Sequence, residues 1–236
     1  MAVFIQGQFL NCVIKDHFLF INIHSHQPPA AQEWCIQNLY NGFDRAELPG
    51  HYSIGIHPWY IEAANWLQQM DTLRDWCHHP HVLAIGECGL DKVCTTSFSL
   101  QQQVFLAQLQ IANEVGKPLI IHCVRAWEEV LHLLQQQQNR VPVIFHGFNK
   151  NIAIAQRIIN KGYYLSFGKS LEKMAIREVL AALPPDKIFL ETDAAAVTIE
   201  SIYKWAADAF SIEINSLLLQ IQKNAATVFG AALVQL

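Results

Sequence analysis

The side chains with the clearest potential for chemistry are histidines and carboxylates that follow short apolar segments. The apolar segment at residues 20–26 ends in His24-Ser25-His26. If this segment is a strand, the alternation of side chains directs His24 and His26 to the same side, where two imidazoles could bind a metal ion. A His-x-His pair is a weak signal by itself, because two histidines at a strand end are more often hydrogen-bonded or solvated.

The same pattern recurs four more times along the chain. Short apolar runs lead to Glu87, to His122, to His146 and to Asp193. Each of these polar residues stands where the chain would leave its strand. We therefore interpret the six ligand-type side chains as parts of one site, and not as five separate coincidences.

The apolar runs also predict the fold. Continuous apolar runs bounded by turn residues are typical of parallel strands that are buried on both faces. Helical patterns separate the runs, which predicts an α/β fold, a (β/α)8 TIM barrel, formed as a single domain by residues 1–236. The C-terminal strand ends of such a barrel converge on the face that carries its chemistry. The signal is weakest at residues 32–50, where residues 33–40 could form a degenerate second strand, so the second βα unit could be shortened or degenerate.

The six side chains are sufficient to hold two divalent ions. We expect one ion on His24, His26, Glu87 and Asp193, and the other on His122, His146 and Glu87, whose two carboxylate oxygens allow it to bridge them. Two cations held on one carboxylate lower the pKa of water and stabilise the oxyanion of an attacked ester. Asp193 can accept the proton of the attacking water, which makes Glu87 and Asp193 the catalytic candidates. Imidazole-rich ligation favours Zn or Mn over Mg, although availability can override that preference.

Four further side chains are candidates for substrate contacts. His57 ends a short strand-like segment before Pro58, where it could line the pocket or simply bond to the backbone of a turn. Arg125 follows His122 and could grip a phosphate oxygen, although it could equally be a helix-surface arginine. Lys150 and Lys169 follow two later strand segments and are further possible phosphate contacts.

Composition excludes several classes of protein. Of the 236 residues, 52% are hydrophobic and 15% charged, which disfavours disorder, and no apolar run approaches the roughly 20 residues that span a bilayer. The net charge of −4 provides no general basic field for duplex DNA, so a phosphate substrate must be held locally. The six cysteines show no C-x-x-C spacing, and residues 1–14 lack the basic start of a signal peptide. We expect a cytoplasmic monomer without membrane segments, in which residues 1–17 form an edge hairpin or a cap.

Six ordered blocks of sequence carry a family resemblance. They are I-H-S-H at 23–26, G-I-H-P at 55–58, A-I-G-E-C-G-L-D at 84–91, K-P-L-I-I-H-C-V-R-A at 117–126, I-F-H-G-F at 144–148 and F-L-E-T-D at 189–193. From residue 20 to residue 230 the chain resembles the TatD family of metal-dependent hydrolases. The resemblance implies an amidohydrolase-type barrel, a magnesium- or manganese-dependent deoxyribonuclease of exonuclease type, and metal ligands at the same six positions.

The chain departs from the family pattern at three places. The stretch between His26 and Gly55 is shorter than expected, Lys92 stands where an aromatic residue often follows G-L-D, and three alanines follow E-T-D. None of these changes removes a ligand, although the first concerns any substrate contact made by the second βα unit.

The leading hypothesis is therefore a hydrolase acting on ester bonds, a two-metal nuclease using Mg, Mn or Zn on short or single-stranded DNA. A second hypothesis keeps the metal site and changes the bond, giving an amidase, a lactonase or an aminoacyl-ester hydrolase. A third is a non-catalytic binding protein with a vestigial site, which the intact ligand set disfavours.

Overall fold

Eight parallel strands form one sheet in the computed structural model, which describes residues 19–230. Each strand pairs in parallel with the next along the chain, from β1 to β8. The strands are β1 Phe20–Ser25, β2 Glu33–Leu39, β3 His51–Ile54, β4 Val82–Asp91, β5 Leu119–Val124, β6 Val143–Phe145, β7 Tyr164–Phe167 and β8 Ile188–Leu190. The predicted (β/α)8 barrel is confirmed.

Seven α-helices surround the strands within residues 19–230. They are α1 Trp66–Trp76, α2 Phe98–Val115, α3 Trp127–Gln136, α4 Ile152–Asn160, α5 Met174–Ala181, α6 Ile199–Phe210 and α7 Ile214–Phe229. Their ends follow local rules: α2 ends at Gly116 in the left-handed conformation, and Asn151 begins α4 by accepting a hydrogen bond from the Ile154 N–H. The sequence did not predict α5, the short helix between β7 and β8.

The strands are apolar and buried along most of their length. Ile21, Ile23, Leu119 and Phe145 are fully buried, and burial of such a side chain contributes about 1.5–3 kcal/mol. Tyr203 of α6 fixes the first strand against the helix layer, because its hydroxyl accepts a hydrogen bond from the Ile21 N–H and donates one to the Ile21 carbonyl, both at 3.1 Å. A rigid first strand holds the His-x-His pair in place.

The second βα unit is reduced, as the sequence suggested. Residues 33–39 form a strand, but residues 26–32 connect β1 to β2 without a helix, and only the 3-10 helix Phe43–Glu47 separates β2 from β3. A second 3-10 helix, Pro58–Tyr60, follows β3. The short connections leave Tyr40 and Arg45 on the wall of the cavity at the C-terminal ends of the strands. This end is called the barrel mouth.

The two ends of the sheet meet through residues that were predicted to bind metal. Ser25 and Asp193 form an isolated parallel bridge. The Asp193 N–H donates to the His24 carbonyl at 3.0 Å, and the His26 N–H donates to the Asp193 carbonyl at 3.1 Å. Closure of the barrel therefore brings together side chains that lie about 170 positions apart in the sequence.

β4 continues beyond the position at which the sequence suggested it would end. The sequence suggested that this strand ends at Glu87, but the strand runs on to Asp91 and pairs with β5, with Gly89 opposite His122. The backbone of Gly89 has a φ of +144°, and a Cβ added there would lie 2.0 Å from the His122 carbonyl oxygen. Glycine is required here for a close approach between two strands.

Gly89→Ala is expected to destabilise the fold by roughly 2–5 kcal/mol, because it adds a backbone clash to an unfavourable φ. Gly116→Ala is the matched control, since Gly116 also has a positive φ but has open space around a Cβ. Thermal unfolding of both variants provides the measurement. Equal losses of stability would contradict the close contact between β4 and β5.

Some expectations fall outside residues 19–230, among them the hairpin or cap at residues 1–17. The cysteines that the structure describes are free thiols, namely Cys35, Cys77, Cys88, Cys94 and Cys123. Within this part of the chain, no helix combines the length and apolar character needed to cross a membrane.

Candidate metal centre

Glu87 lies at the centre of the side chains that the sequence singled out. It is 95% buried at the barrel mouth, and its two carboxylate oxygens point to different groups of histidines. Oε2 faces His24 and His26 at the end of β1, whereas Oε1 faces three histidines from later strand ends, namely His57, His122 and His146. Each oxygen therefore has its own group of partners.

The first group contains His24, His26, Asp193 and one oxygen of Glu87. The Nε2 atoms of His24 and His26 lie 3.4 and 3.7 Å from Glu87 Oε2. The same two nitrogens lie 3.7 and 3.3 Å from Asp193 Oδ1. One atom each from His24, His26 and Asp193 falls within 4.8 Å of the others, which is close enough to hold a metal ion.

The second group surrounds Glu87 Oε1. His146 Nε2 lies 2.7 Å from this oxygen, His122 Nδ1 lies 2.8 Å from it, and His57 Nε2 lies 3.2 Å from it. The structure thus brings together all six side chains expected to bind metal. The sequence had assigned His57 to substrate contact, and the structure places it in this second group as well.

Two carboxylates orient His122 and His146 by contacting the ring nitrogen that faces away from Glu87. His122 Nε2 lies 3.2 Å from Asp91 Oδ2, and His146 Nδ1 lies 3.3 Å from Glu191 Oε1. A carboxylate that accepts the proton of the far ring nitrogen leaves a lone pair on the near nitrogen. His122 Nδ1 and His146 Nε2 are therefore the ring atoms that would coordinate a metal ion.

His57 has the opposite arrangement. Its Nδ1 accepts a hydrogen bond from the Trp59 N–H at 3.1 Å, so the proton of the neutral ring is assigned to Nε2. That N–H points towards Glu87 Oε1, and burial lowers the pKa of His57 despite this carboxylate. We conclude that His57 is a hydrogen-bond donor in the pocket, in contrast to His122 and His146.

The carboxylates of the centre attract positive charge strongly. Burial opposes the charge of Glu87, yet the positive charge of His146 and the surrounding imidazole hydrogen bonds outweigh it and hold the pKa of Glu87 well below its ordinary value. Hydrogen bonds with Asp193 and Glu87 raise the pKa of His26 to about 9. A divalent cation between these carboxylates would supply the same positive charge. It would do so without placing charged rings close together, since the ring centroids of His24 and His146 are only 4.4 Å apart.

The residues present fit a metal ion. His24 is fully buried, and neither of its ring nitrogens has a hydrogen-bond partner among the described residues. A buried polar nitrogen without a partner costs about 1–3 kcal/mol. Coordination through Nε2 would remove part of this cost. The centre therefore consists of histidine, glutamate and aspartate groups that could hold a metal.

Buried amide side chains, which sequence reasoning missed, support the centre. Asn38 of β2 accepts a hydrogen bond from the Glu87 N–H at 2.8 Å. Gln101 of α2 bonds the backbone N–H and the carbonyl of Asp91. Gln108 of α2 bonds the same two groups of Ile56, which precedes His57. The sequence feature that could have indicated them is a glutamine on the apolar face of a predicted helix, because buried amides usually make hydrogen bonds to backbone groups.

A cavity of about 560 Å³ opens onto the centre. It is lined by side chains of both metal groups together with Tyr40, Arg45, Trp59 and Tyr60. Arg125, Lys150 and Lys169 lie beyond the ends of β5, β6 and β7. None of the three is among the described residues that line this cavity, so they are not brought next to the carboxylates.

Comparisons with known proteins agree with this geometry. The model of the family described as TatD related DNase matches residues 36–229. A protein of Escherichia fergusonii named 3'-5' ssDNA/RNA exonuclease TatD is 30% identical over 171 residues, which cover 66% of this chain and 64% of that protein. An uncharacterized metal-dependent hydrolase of Bacillus subtilis is 32% identical over 154 residues, which cover 62% of this chain and 59% of that protein. The chain thus spans less than two thirds of the length of these curated relatives.

A solved structure shares the fold. The crystal structure of a TatD homologue from Escherichia coli K12 matches with a TM-score of 0.80 and 22% sequence identity, covering 90% of this chain and 98% of that one. This likeness concerns the barrel, whereas the family model covers the segments that carry Glu87, His122, His146 and Asp193. On the strength of that match, the chain belongs to the TatD family of metal-dependent hydrolases.

Proposed function

We propose that this protein is a metal-dependent phosphodiesterase that removes nucleotides from the 3' end of single-stranded DNA or RNA. The observation that carries the proposal is the position of Glu87, which directs one carboxylate oxygen to each of two groups of metal-binding side chains. The name of the Escherichia fergusonii relative, a 3'-5' ssDNA/RNA exonuclease, supports the choice of bond and substrate.

We propose two divalent ions, Mg, Mn or Zn, one held by each group. His24, His26, Asp193 and Glu87 would hold the first ion, and His122, His146 and Glu87 the second. When bound, the ions would lower the pKa of water and stabilise negative charge on the attacked phosphate. Asp193 would take the proton of the attacking water, and because its side chain is 45% exposed it can pass that proton to solvent. His57 would donate a hydrogen bond from its Nε2–H to an oxygen of the phosphodiester.

The cavity favours the end of a single strand. A volume of about 560 Å³ lies in the range of sites that hold one small molecule. Arg45 lines it and can contact a phosphate, while Arg125, Lys150 and Lys169 remain predicted contacts for more distant parts of the strand. We further propose that residues 1–236 form one domain that acts as a monomer in the cytoplasm, a reducing compartment with which the free thiols accord.

Turnover assays on defined substrates test the proposal. The protein would be stripped of metal, reloaded with Mg, Mn or Zn, and given single- and double-stranded oligonucleotides labelled at the 5' end. We expect stepwise shortening from the 3' end on single strands, and no turnover after chelation. Failure to cleave any oligonucleotide with any of the three metals would contradict the proposal. Faster hydrolysis of amides, lactones or aminoacyl esters would identify the carbonyl alternative, and metal binding without any turnover would identify a binding protein.

His57→Asn is expected to lower kcat by about 10²-fold while metal stoichiometry stays at the wild-type value, because the histidine donates a hydrogen bond to the phosphodiester and does not coordinate. Metal content by plasma mass spectrometry and kcat on an oligonucleotide provide the two measurements. His122→Asn is the contrasting variant and should lose metal as well as activity. Loss of metal from His57→Asn would show that His57 is a ligand.

A further inference from the structure

Three exposed aromatic side chains border the candidate centre, namely Tyr40, Trp59 and Tyr60, here called the aromatic platform. We infer that the aromatic platform binds the nucleobase next to the 3'-terminal nucleotide by stacking, and so selects single strands over duplexes. The inference rests on the proposed function, since it assigns a subsite for the substrate of that same centre.

The platform exposes an unusual amount of aromatic surface. The side chains are 39%, 57% and 46% exposed in the order Tyr40, Trp59 and Tyr60. Tyr40 and Tyr60 come from different connections, after β2 and after β3, yet their rings stack at 4.7 Å with an interplanar angle of 25°. Clustered exposed apolar groups mark binding sites more often than isolated ones do.

The platform is continuous with the centre. The ring of Tyr60 lies 5.6 Å from the ring of His57, and that of Tyr40 lies 6.3 Å from the ring of His26. The ring of Trp59 lies 6.2 Å from that of His122. A base on the platform would therefore adjoin the phosphodiester at the carboxylates.

Hydrogen bonds fix the platform before any ligand arrives. Trp59 donates its ring N–H to Asp91 Oδ2 at 2.7 Å, the same oxygen that faces His122. The Tyr60 carbonyl accepts a hydrogen bond from Gln69 of α1 at 2.9 Å, and the Gln69 oxygen accepts one from the Glu62 N–H at 3.0 Å. The ring of Trp59 and the backbone of Tyr60 are thus already held in place, which lowers the conformational entropy lost when a base stacks on the platform.

Cavities lie on both sides of the platform. Tyr40, Trp59 and Tyr60 line the 560 Å³ cavity over the centre and also a second cavity of about 310 Å³ towards α1. A strand can thus pass over the rings, with its terminal nucleotide in the first cavity and the next base at the ridge. Arg45 in the first cavity supplies positive charge for the phosphate between them.

The chemistry of the platform favours a base over other apolar ligands. Flat aromatic faces bind every base by stacking without reading its sequence, which suits an enzyme that shortens strands of any sequence. A base in a duplex is already stacked and paired, so it could reach the platform only after the end of the duplex opened. A preference for single strands follows.

Tyr60→Leu and Tyr40→Leu in the metal-loaded protein test the inference. Each is expected to raise KM for a short single-stranded oligothymidylate between about fivefold and 100-fold, the range that loss of one base–aromatic stack produces. The loss of kcat/KM on the oligothymidylate should exceed the loss on methyl p-nitrophenyl phosphate, which has no nucleobase, by about tenfold. Anisotropy with a fluorescein-labelled phosphorothioate oligothymidylate, which resists cleavage, should show the same rise in Kd.

Tyr60→Phe keeps the ring and should keep the wild-type KM. Tyr163→Leu is the matched control, because Tyr163 precedes β7 at the opposite end of the barrel, and its KM should also stay at the wild-type value. Equal losses on both substrates, or a KM in the leucine variants no higher than in the control, would overturn the inference. Absence of hydrolysis by the wild type on every phosphodiester would instead reject the proposed function itself.

Discussion

Glu87→Gln is expected to lower kcat/KM for a single-stranded oligonucleotide by at least about 10³-fold while the protein stays folded. The reason is that each oxygen of Glu87 contacts a different group of histidines. Oε2 faces His24 and His26, and Oε1 faces His122 and His146. An amide keeps the shape of the side chain but presents one oxygen and one NH2 group. One of the two groups therefore loses its carboxylate, and metal content should fall together with turnover.

The control for this variant is Glu178→Gln on the exposed surface of α5. It makes the same chemical change far from the barrel mouth and should keep wild-type kcat/KM and metal content. Thermal unfolding of both variants separates a local effect from loss of the fold. Wild-type turnover by a folded Glu87→Gln protein would remove the bridging role of Glu87.

Asp193→Asn is the second variant with a large expected effect, a fall in kcat of about 10²–10⁴-fold with the fold intact. Asp193 has a positive φ of 54°, a conformation that Asn tolerates as well as Asp does. The backbone hydrogen bonds that join Asp193 to His24 and His26 involve no side-chain atom. The substitution therefore removes one negative charge and one proton acceptor, and leaves the closure of the barrel unchanged.

Asp186→Asn serves as the comparison, because Asp186 is exposed in the 3-10 helix that precedes β8, at the opposite end of that strand. Its kcat should match the wild type. A kcat of the Asp193→Asn protein within about tenfold of wild type would reject Asp193 as the proton acceptor. A large drop in melting temperature would instead point to a structural role for its charge.

The convergence of the side chains of the candidate centre could be predicted because strand ends obey a simple rule. In a parallel barrel, the residues that follow successive strands meet at one mouth, so the position of His122 or His146 after an apolar run already located it. The alternation of side chains along β1 gave the pairing of His24 with His26 in the same way. Both patterns are local in the sequence, and the barrel fold determines where the side chains then lie.

The supporting side chains could not be predicted in this way. Asn38, Gln101 and Glu191 act by bonding to residues between 10 and 49 positions away, and a single sequence does not contain those pairings. The extension of β4 beyond Glu87 has the same origin, since glycine in a strand and glycine in a turn look alike until the neighbouring strand is known. α5 was missed because its eight residues carry too short an apolar pattern.

The aromatic platform is a third feature that could not be predicted from the sequence. Nothing in the sequence marks Tyr40, Trp59 and Tyr60 as exposed, and the short connections around β2 and β3 leave them so. His57 was predicted as a pocket residue, and its role as a donor depends on a hydrogen bond from the Trp59 N–H two residues later. Which nitrogen of a histidine faces the site follows from such contacts and not from the motif.

The central claim is that cations bind on both oxygens of Glu87. The most direct test is a crystal structure of the protein loaded with Mn or Zn, with the ions located by anomalous scattering. The account predicts two ions, one between His24, His26, Asp193 and Glu87 Oε2, and the other between His122, His146 and Glu87 Oε1. Ions bound elsewhere, or a loaded protein without ions at Glu87, would contradict it.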